Sequence, residues 1–411
     1  MRTPRASACP LMLLCTIACG GSGQGAVDGS GIDAGADTSG TPGAGNDASS
    51  PSGPDGSGGD DSASSPPSDG AASSSHPDGS THPDGSTSTT DAGAAAGLHI
   101  DISQTSVSGF SSGGFMAVQF GVAFSSIVEG IGAFAGGPFG CSQGSVATAN
   151  TSCADASSAP NATPLIAATK SLYASGAIDN PANLASARVF LLSGADDAVV
   201  SPAVVDATQA YFEGFMPTAS IQYVSRRAGT GHVLPTVNYG ASCDSSDAPW
   251  LGDCGYDGAG TALAQIYGTL ASATSAPTGT IVTIPQGNFI ADPASHSLDV
   301  NAYAYVPKSC ANGETCRVHV VFHGCEMGES VIGSVFYLHA GYNEWADANH
   351  IVVLYPQAIS ANSEGNPYGC WDFWGYDSSA YDTKGAPQMA MTRAMIGSLA
   401  GVPWDAGTSD Q

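Results

Sequence analysis

Beyond about residue 100, apolar residues gather in short runs separated by turns rich in Gly, Pro and Asp, and each run's length predicts its element. Residues 102–108 read as a strand. Residues 115–124 are apolar throughout and lack Pro, which predicts a buried helix. Residues 187–193 read as a buried strand and 202–215 as a helix, followed by a strand over 219–225. Three more strand-like runs lie at 303–307, 316–322 and 351–356. Strands alternating with helices predict an α/β domain with a mostly parallel central sheet flanked by helices. No apolar run approaches the roughly 18 residues of a spanning helix, so any membrane link has to be an anchor.

The first quarter of the chain follows a different pattern. Residues 20–97 consist mainly of Gly, Ser, Asp, Ala, Pro and Thr, with a tandem His-Pro-Asp-Gly-Ser-Thr at His76 and His82. They hold eleven Asp and no Lys or Arg. Such a segment cannot bury enough apolar surface to offset chain entropy, and it reads as a disordered, self-repelling tether. Residues 1–19 carry Arg2 and Arg5, a short apolar stretch, and then Cys19. This export leader resembles a bacterial lipoprotein signal with lipid on Cys19, the alternative being an ordinary secretory signal cut near Ala18. The remainder divides into one α/β domain over 98–401 and a tail over 402–411.

Charge narrows the classes of function. The chain carries a formal charge of -26, and removing leader and tether still leaves 25 acidic against 8 basic residues. Such a balance excludes a nucleic-acid or anionic-membrane binder, which needs a basic face. Outside the leader there are eight cysteines: Cys141, Cys153, Cys243, Cys254, Cys310, Cys316, Cys325 and Cys370. An even number in an exported chain reads as disulfides. No Cys-x-x-Cys or His-Glu-x-x-His occurs, so neither metal nor cofactor is expected.

Candidate chemistry begins at Gly109-Phe110-Ser111-Ser112-Gly113, a Gly-x-Ser-x-Gly motif. It builds a sharp strand-to-helix turn that lifts a serine hydroxyl above a sheet. In a chain this rich in Gly and Ser the motif recurs by chance, as at Gly140-Cys141-Ser142-Gln143-Gly144. Only Ser111 lies between a strand-like and a helix-like run, so it is the expected nucleophile and Ser142 the rejected one. A serine needs an imidazole to take its proton and a carboxylate to orient that imidazole. Asp197, in a Gly-x-x-Asp-x-x-Val stretch just beyond the strand at 187–193, is the expected acid, with Asp196 the near miss. His232, in a small-residue loop after the strand at 219–225, is the expected base. The order Ser, Asp, His is that of α/β hydrolases.

In such enzymes a second oxyanion amide comes from a His-Gly loop after an earlier strand. Here that loop comes late, as His323-Gly324-Cys325 after the strand at 316–322. Circular permutation accounts for it, with the strands that usually begin the fold placed last. Val107-Ser108-Gly109-Phe110-Ser111-Ser112-Gly113-Gly114-Phe115-Met116, Ala135-Gly136-Gly137-Pro138, Cys254-Gly255-Tyr256-Asp257-Gly258-Ala259-Gly260, His323-Gly324-Cys325, Gly341-Tyr342-Asn343-Glu344-Trp345-Ala346-Asp347 and Cys370-Trp371-Asp372-Phe373-Trp374-Gly375-Tyr376 together resemble the poly(3-hydroxybutyrate) depolymerase family. The similarity is to its single-domain, circularly permuted, fungal-type members.

The resemblance implies an exported serine esterase acting on an insoluble polyester, expected as a monomer. It implies an acyl-enzyme at Ser111, oxyanion amides at Ser112 and Cys325, and a polymer crevice lined by Trp371 and Trp374. Closeness in sequence and this site arrangement favour the pairs Cys141 with Cys153, Cys243 with Cys254, Cys310 with Cys316, and Cys325 with Cys370. Two other readings stay open from the residues: an exported esterase for small or carbohydrate-linked esters such as feruloyl or acetyl groups, and a catalytically silent surface protein that only binds polymer.

Overall fold

A computed structural model of the chain describes residues 97–402 and 404. The leader with Cys19, the tether apart from Gly97, and the tail apart from Val402 and Trp404 lie outside the described residues.

The chain enters through a one-turn 3-10 helix, Ile102–Gln104, capped by the Asp101 carboxylate, which accepts from the Ser103 amide. This cap delays the first strand, expected from residue 102, to β1 (Thr105–Phe110). Then follow α1 (Ser112–Ala123), β2 (Val128–Phe134), α2 (Val146–Thr151), α3 (Ala162–Ala174), β3 (Arg188–Gly194), α4 (Pro202–Phe212) and β4 (Ile221–Arg227). Helix α4 stops three residues short of the expected end, with Gly214 just beyond its cap. Three short strands, β5 (Leu234–Thr236), β6 (Ala241–Ser242) and β7 (Leu251–Asp253), form a small separate sheet. The chain continues through α5 (Gly258–Tyr267), β8 (Thr280–Pro285), β9 (Asn301–Val306), α6 (Lys308–Ala311), β10 (Arg317–Phe322), α7 (Glu329–Ile332), α8 (Val335–His339), α9 (Asn343–Ala348), β11 (Ile351–Tyr355) and α10 (Pro387–Leu399).

The main sheet has eight strands in the order β4-β3-β2-β1-β10-β11-β9-β8. From β4 to β11 every neighbour is parallel; β9 is antiparallel to both β11 and β8. Permutation is visible in the seam, where β10, late in the chain, pairs with β1 through Ser106 opposite His319 and Gly109 opposite Phe322. Counted from β8, the strand order reads 1-2-4-3-5-6-7-8. In that count the His-Gly loop follows the third strand, the position it takes in unpermuted hydrolases.

Both faces of the sheet are covered, which explains why its strands read as unbroken apolar runs. Val189 and Leu191 of β3 enter one core cluster, while Phe190 and Leu192 enter the other. The same alternation divides Val352 and Leu354 of β11 from Val353 and Tyr355. Helix α1 is buried on every side and packs on β1, β2 and β10. No helix among the described residues is long and apolar enough to cross a membrane.

Candidate active site

Ser111 sits between the end of β1 and the start of α1 with φ 55° and ψ -123°, a conformation that L residues rarely adopt. Its amide donates to the Phe134 carbonyl at 2.9 Å, fixing the elbow to the end of β2. Two neighbouring glycines make this geometry sterically possible. A Cβ at Gly109 would lie 2.1 Å from the Gly113 carbonyl oxygen, and one at Gly113 2.2 Å from the Phe322 carbonyl oxygen. The small residues of the motif are therefore a condition for packing the elbow against β10.

The carboxylate and imidazole come from the ends of β3 and β4. His232 Nε2 lies 2.9 Å from Ser111 Oγ, and His232 Nδ1 lies 2.9 Å from Asp197 Oδ2 and 3.1 Å from Oδ1. A carboxylate only accepts, so the ring proton is on Nδ1 and Nε2 is open to the serine proton. Asp197 Oδ1 also accepts from the Val199 and Val200 amides, each at 2.9 Å. These bonds hold the acid in place on a tight turn. The neighbouring Asp196 is exposed, yet its amide donates to the Thr230 carbonyl and so ties the acid loop to the base loop. The base loop is held in addition by the His232 amide, which donates to Ser246 Oγ. Arg227 donates to Thr230 Oγ1 and to the Cys254 carbonyl. All three side chains of the array are nearly closed to solvent.

The His-Gly loop lies beside the elbow across the permutation seam. Among the described residues, the amides of Ser112 and Cys325 have no protein acceptor. Cys325 is bonded to Cys370, and Ser112 Oγ accepts from the Trp371 amide at 3.4 Å, joining elbow, loop and the 370–376 segment. The other bridges are Cys141–Cys153, Cys243–Cys254 and Cys310–Cys316.

Among the described residues no imidazole is hydrogen-bonded to Ser142. Ser142 is buried and donates to the Phe373 carbonyl at 2.5 Å, and its oxygen lies 3.0 Å from Tyr381 Oη, from which it accepts. Trp371 requires a correction. Expected to line a crevice, it has 0% exposure and packs edge-on against Phe322, with the His323 ring also against it, so it is a core residue under the site. Trp374 is partly exposed, packing with Tyr376 and with Phe373, whose ring stacks on Phe115 in the first turn of α1. Two rings flanking the imidazole escaped the sequence reading: Phe110, at 4.7 Å, and Trp250, at 6.4 Å and with φ 63°. Phe110 was signalled by its place beside the serine. Trp250, eighteen residues past His232, carries no local signal.

A permuted α/β sheet presenting a serine on a strand-to-helix elbow, hydrogen-bonded to an imidazole that a carboxylate orients, defines a serine hydrolase of the α/β-hydrolase class. The chain is 41% identical over 304 residues to a poly(3-hydroxybutyrate) depolymerase of Delftia acidovorans and 38% identical over 316 residues to a polyhydroxybutyrate depolymerase of Talaromyces funiculosus. It belongs to the poly(3-hydroxybutyrate) depolymerase family. Each match takes in 73% of this chain; it spans 60% of the Delftia protein and 90% of the Talaromyces protein. Among solved structures it is similar to the PHB depolymerase of Penicillium funiculosum, with a TM-score of 0.69 and 36% identity, covering 75% of this chain and 99% of that one. A serine-to-alanine PHB depolymerase complexed with an R3HB trimer gives the same score and identity, with 98% of that chain covered. No protein-family model matches the chain.

Proposed function

We propose that the protein is an exported serine esterase that hydrolyses poly(3-hydroxybutyrate), or a similar polyhydroxyalkanoate, through an acyl-enzyme at Ser111. The observation that carries this reading is the unbroken hydrogen-bond chain from Ser111 through His232 to Asp197. Ser111 Oγ attacks the ester carbonyl while its proton moves to His232 Nε2. Asp197 stays ionised and stabilises the imidazolium. The developing oxyanion takes the amides of Ser112 and Cys325, donors that need no reorganisation as the charge forms. Collapse of the tetrahedral intermediate breaks the C–O bond, and His232 gives its proton to the departing hydroxyl end of the polymer. Water then repeats the sequence on the acyl-enzyme and releases the hydroxyacid end.

Trp374, partly exposed above the elbow helix, serves as the aromatic wall against which the polyester chain lies. Four disulfides suit a compartment outside the reducing cytosol. On this reading lipid on Cys19 holds the enzyme at the cell surface, and residues 20–97 give it reach.

The test is release of 3-hydroxybutyrate oligomers from amorphous and crystalline polymer by the purified protein, with Ser111→Ala as the blank and acetylated or feruloylated xylan in parallel. Polymer clearing by the wild type alone supports the reading. Turnover of decorated xylan without polymer clearing transfers the enzyme to the carbohydrate-ester class, and no turnover of either leaves the silent binding protein.

A further inference from the structure

We infer that His323 is a positioning residue for the oxyanion amide, acting through the single peptide group that joins Gly324 to Cys325. This rests on the esterase reading above for its kinetic consequence, though the geometry stands independently. The His323 ring is wholly buried and lies against Phe336 and Trp371. Both its nitrogens are engaged: the Ala358 amide lies 3.0 Å from Nε2, and the Gly324 carbonyl oxygen lies 2.7 Å from Nδ1. An amide only donates and a carbonyl only accepts, so the tautomer is fixed with its proton on Nδ1. Burial favours the neutral ring and lowers its pKa to about 4.

The Gly324 carbonyl and the Cys325 N–H belong to one planar trans peptide, in which the two bonds point in opposite directions. Holding the carbonyl oxygen therefore aims the N–H. Donation into that carbonyl also polarises the peptide, which strengthens its N–H as a donor. The Met327 amide donates to the same carbonyl at 3.3 Å, a longer bond than that from His323, and other contacts hold the loop on either side. The Gly324 amide meets Met327 Sδ at 3.2 Å, the Glu326 amide donates to the Tyr368 carbonyl at 2.7 Å, and Cys325 is bonded to Cys370. His323 is the closer of two donors on the carbonyl of the peptide whose N–H is offered to the substrate, and the one that acts through its side chain. Its two bonds also join this loop to Ala358, just beyond β11, so the neighbouring strand end sets the ring's height.

The experiment compares His323→Asn, His323→Gln and His323→Leu on a soluble ester, p-nitrophenyl butyrate, with circular dichroism and melting as folding controls. Asn can place an N–H near the position of Nδ1, Gln can place an acceptor near Nε2, and Leu offers neither. Leu and Gln should lose roughly 10- to 100-fold in kcat with KM within about twofold of wild type, and Asn should recover most of that loss. A folded His323→Leu with wild-type kcat, or Gln outperforming Asn, overturns the proposal. Should Leu fail to fold, the Asn and Gln pair decides. Wild type inert on every ester removes the esterase reading instead. In that case the 15N shifts of a histidine-labelled protein judge His323 directly: a proton on Nδ1 upholds its placement, and one on Nε2 overturns it.

Discussion

Among the described residues a serine–histidine array lies at the rim of the sheet and another within it. At the rim, His232 faces one serine through Nε2 and a carboxylate through Nδ1. Inside, on the paired strands β1 and β10, His319 lies 2.6 Å from Ser106 Oγ through Nδ1 and 2.8 Å from Ser108 Oγ through Nε2. Ser108 in turn donates to Tyr342 Oη, so its oxygen accepts from the Nε2–H of His319 and Nδ1 accepts from Ser106. The inner array is a buried linear chain, Tyr267–Ser106–His319–Ser108–Tyr342, in which both ring nitrogens are engaged by hydroxyls and no carboxylate takes part, and burial lowers the pKa of His319 to about 3. It pins the β1–β10 register across the permutation seam. A buried hydroxyl beside an imidazole is thus no sign of catalysis; an oriented ring with one open nitrogen at a strand end is.

The sharpest way to break this comparison is to remove one hydroxyl from each array. Ser111→Ala should lower kcat on a soluble ester by about 10⁶-fold, whereas Ser108→Ala should change it less than about tenfold and cost about 1–3 kcal/mol of stability. Equal inactivation of two folded variants would erase the distinction. Next in size is Asp197→Asn, which keeps the shape but spoils the tautomer and should cost about 10⁴-fold. Asp196→Asn, one residue away and exposed, should stay within about threefold of wild type by the same assay.

Much of the rim array was legible because its chemistry constrains the sequence. An elbow with φ 55° packed against β10 demands Gly109 and Gly113, and these glycines make the motif. The run at 187–193 was readable because both faces of β3 are buried, and Asp197 follows where a carboxylate reaches the rim. What stayed hidden depends on long-range contact. Nothing local in Cys370-Trp371-Asp372-Phe373-Trp374 says that Trp371 turns into the core and Trp374 outward. Nor does residue 250 announce that its ring reaches His232, or His323 that its ring grips a carbonyl. The strand β8 and the helices α5 and α10 also went unread, since their mixed runs of small, polar and apolar residues signal neither period strongly.

A smaller effect should follow from cutting the link between loop and wall. Cys370→Ser releases Cys325, whose amide faces the substrate on the proposed mechanism, while Cys243→Ser opens a bridge next to the base loop. Cys370→Ser should lower kcat by about 10-fold or more and Cys243→Ser by less, at a temperature where melting curves show both folded. Cys243→Ser should also lose up to about 3 kcal/mol of stability and Cys370→Ser, which opens a longer loop, up to about 4 kcal/mol. The reverse order of kcat would mean that His323, Met327 and the Glu326–Tyr368 bond hold the oxyanion loop without the bridge.

The smallest effect on turnover belongs to the inner array, and pH exposes it. In the unfolded chain a histidine titrates near about 6.5, whereas folded His319 is held down to about 3 by burial. Between those values the unfolded state binds the extra proton, so this group's stability is complete above about 6.5 and is lost as pH falls towards 3, by up to about 1.4 kcal/mol per pH unit. His323, lowered to about 4, acts in the same direction. Asp372, raised to about 6 by burial despite the amides that line its carboxylate, acts oppositely: its contribution is present below the ordinary carboxylate range and lost as pH rises through 6. These groups remain in both proteins when wild type is compared with His319→Gln, so the difference isolates one imidazole. Urea unfolding at fixed ionic strength should show wild type the more stable at pH 7 and the gap narrowing steadily from pH 6.5 to 4.5, while kcat at pH 7 stays within about threefold. A gap that held constant down to pH 4.5 would mean that the His319 ring takes up its proton inside the folded sheet, and the inner array would then not be the neutral, fully engaged chain that separates it from the rim.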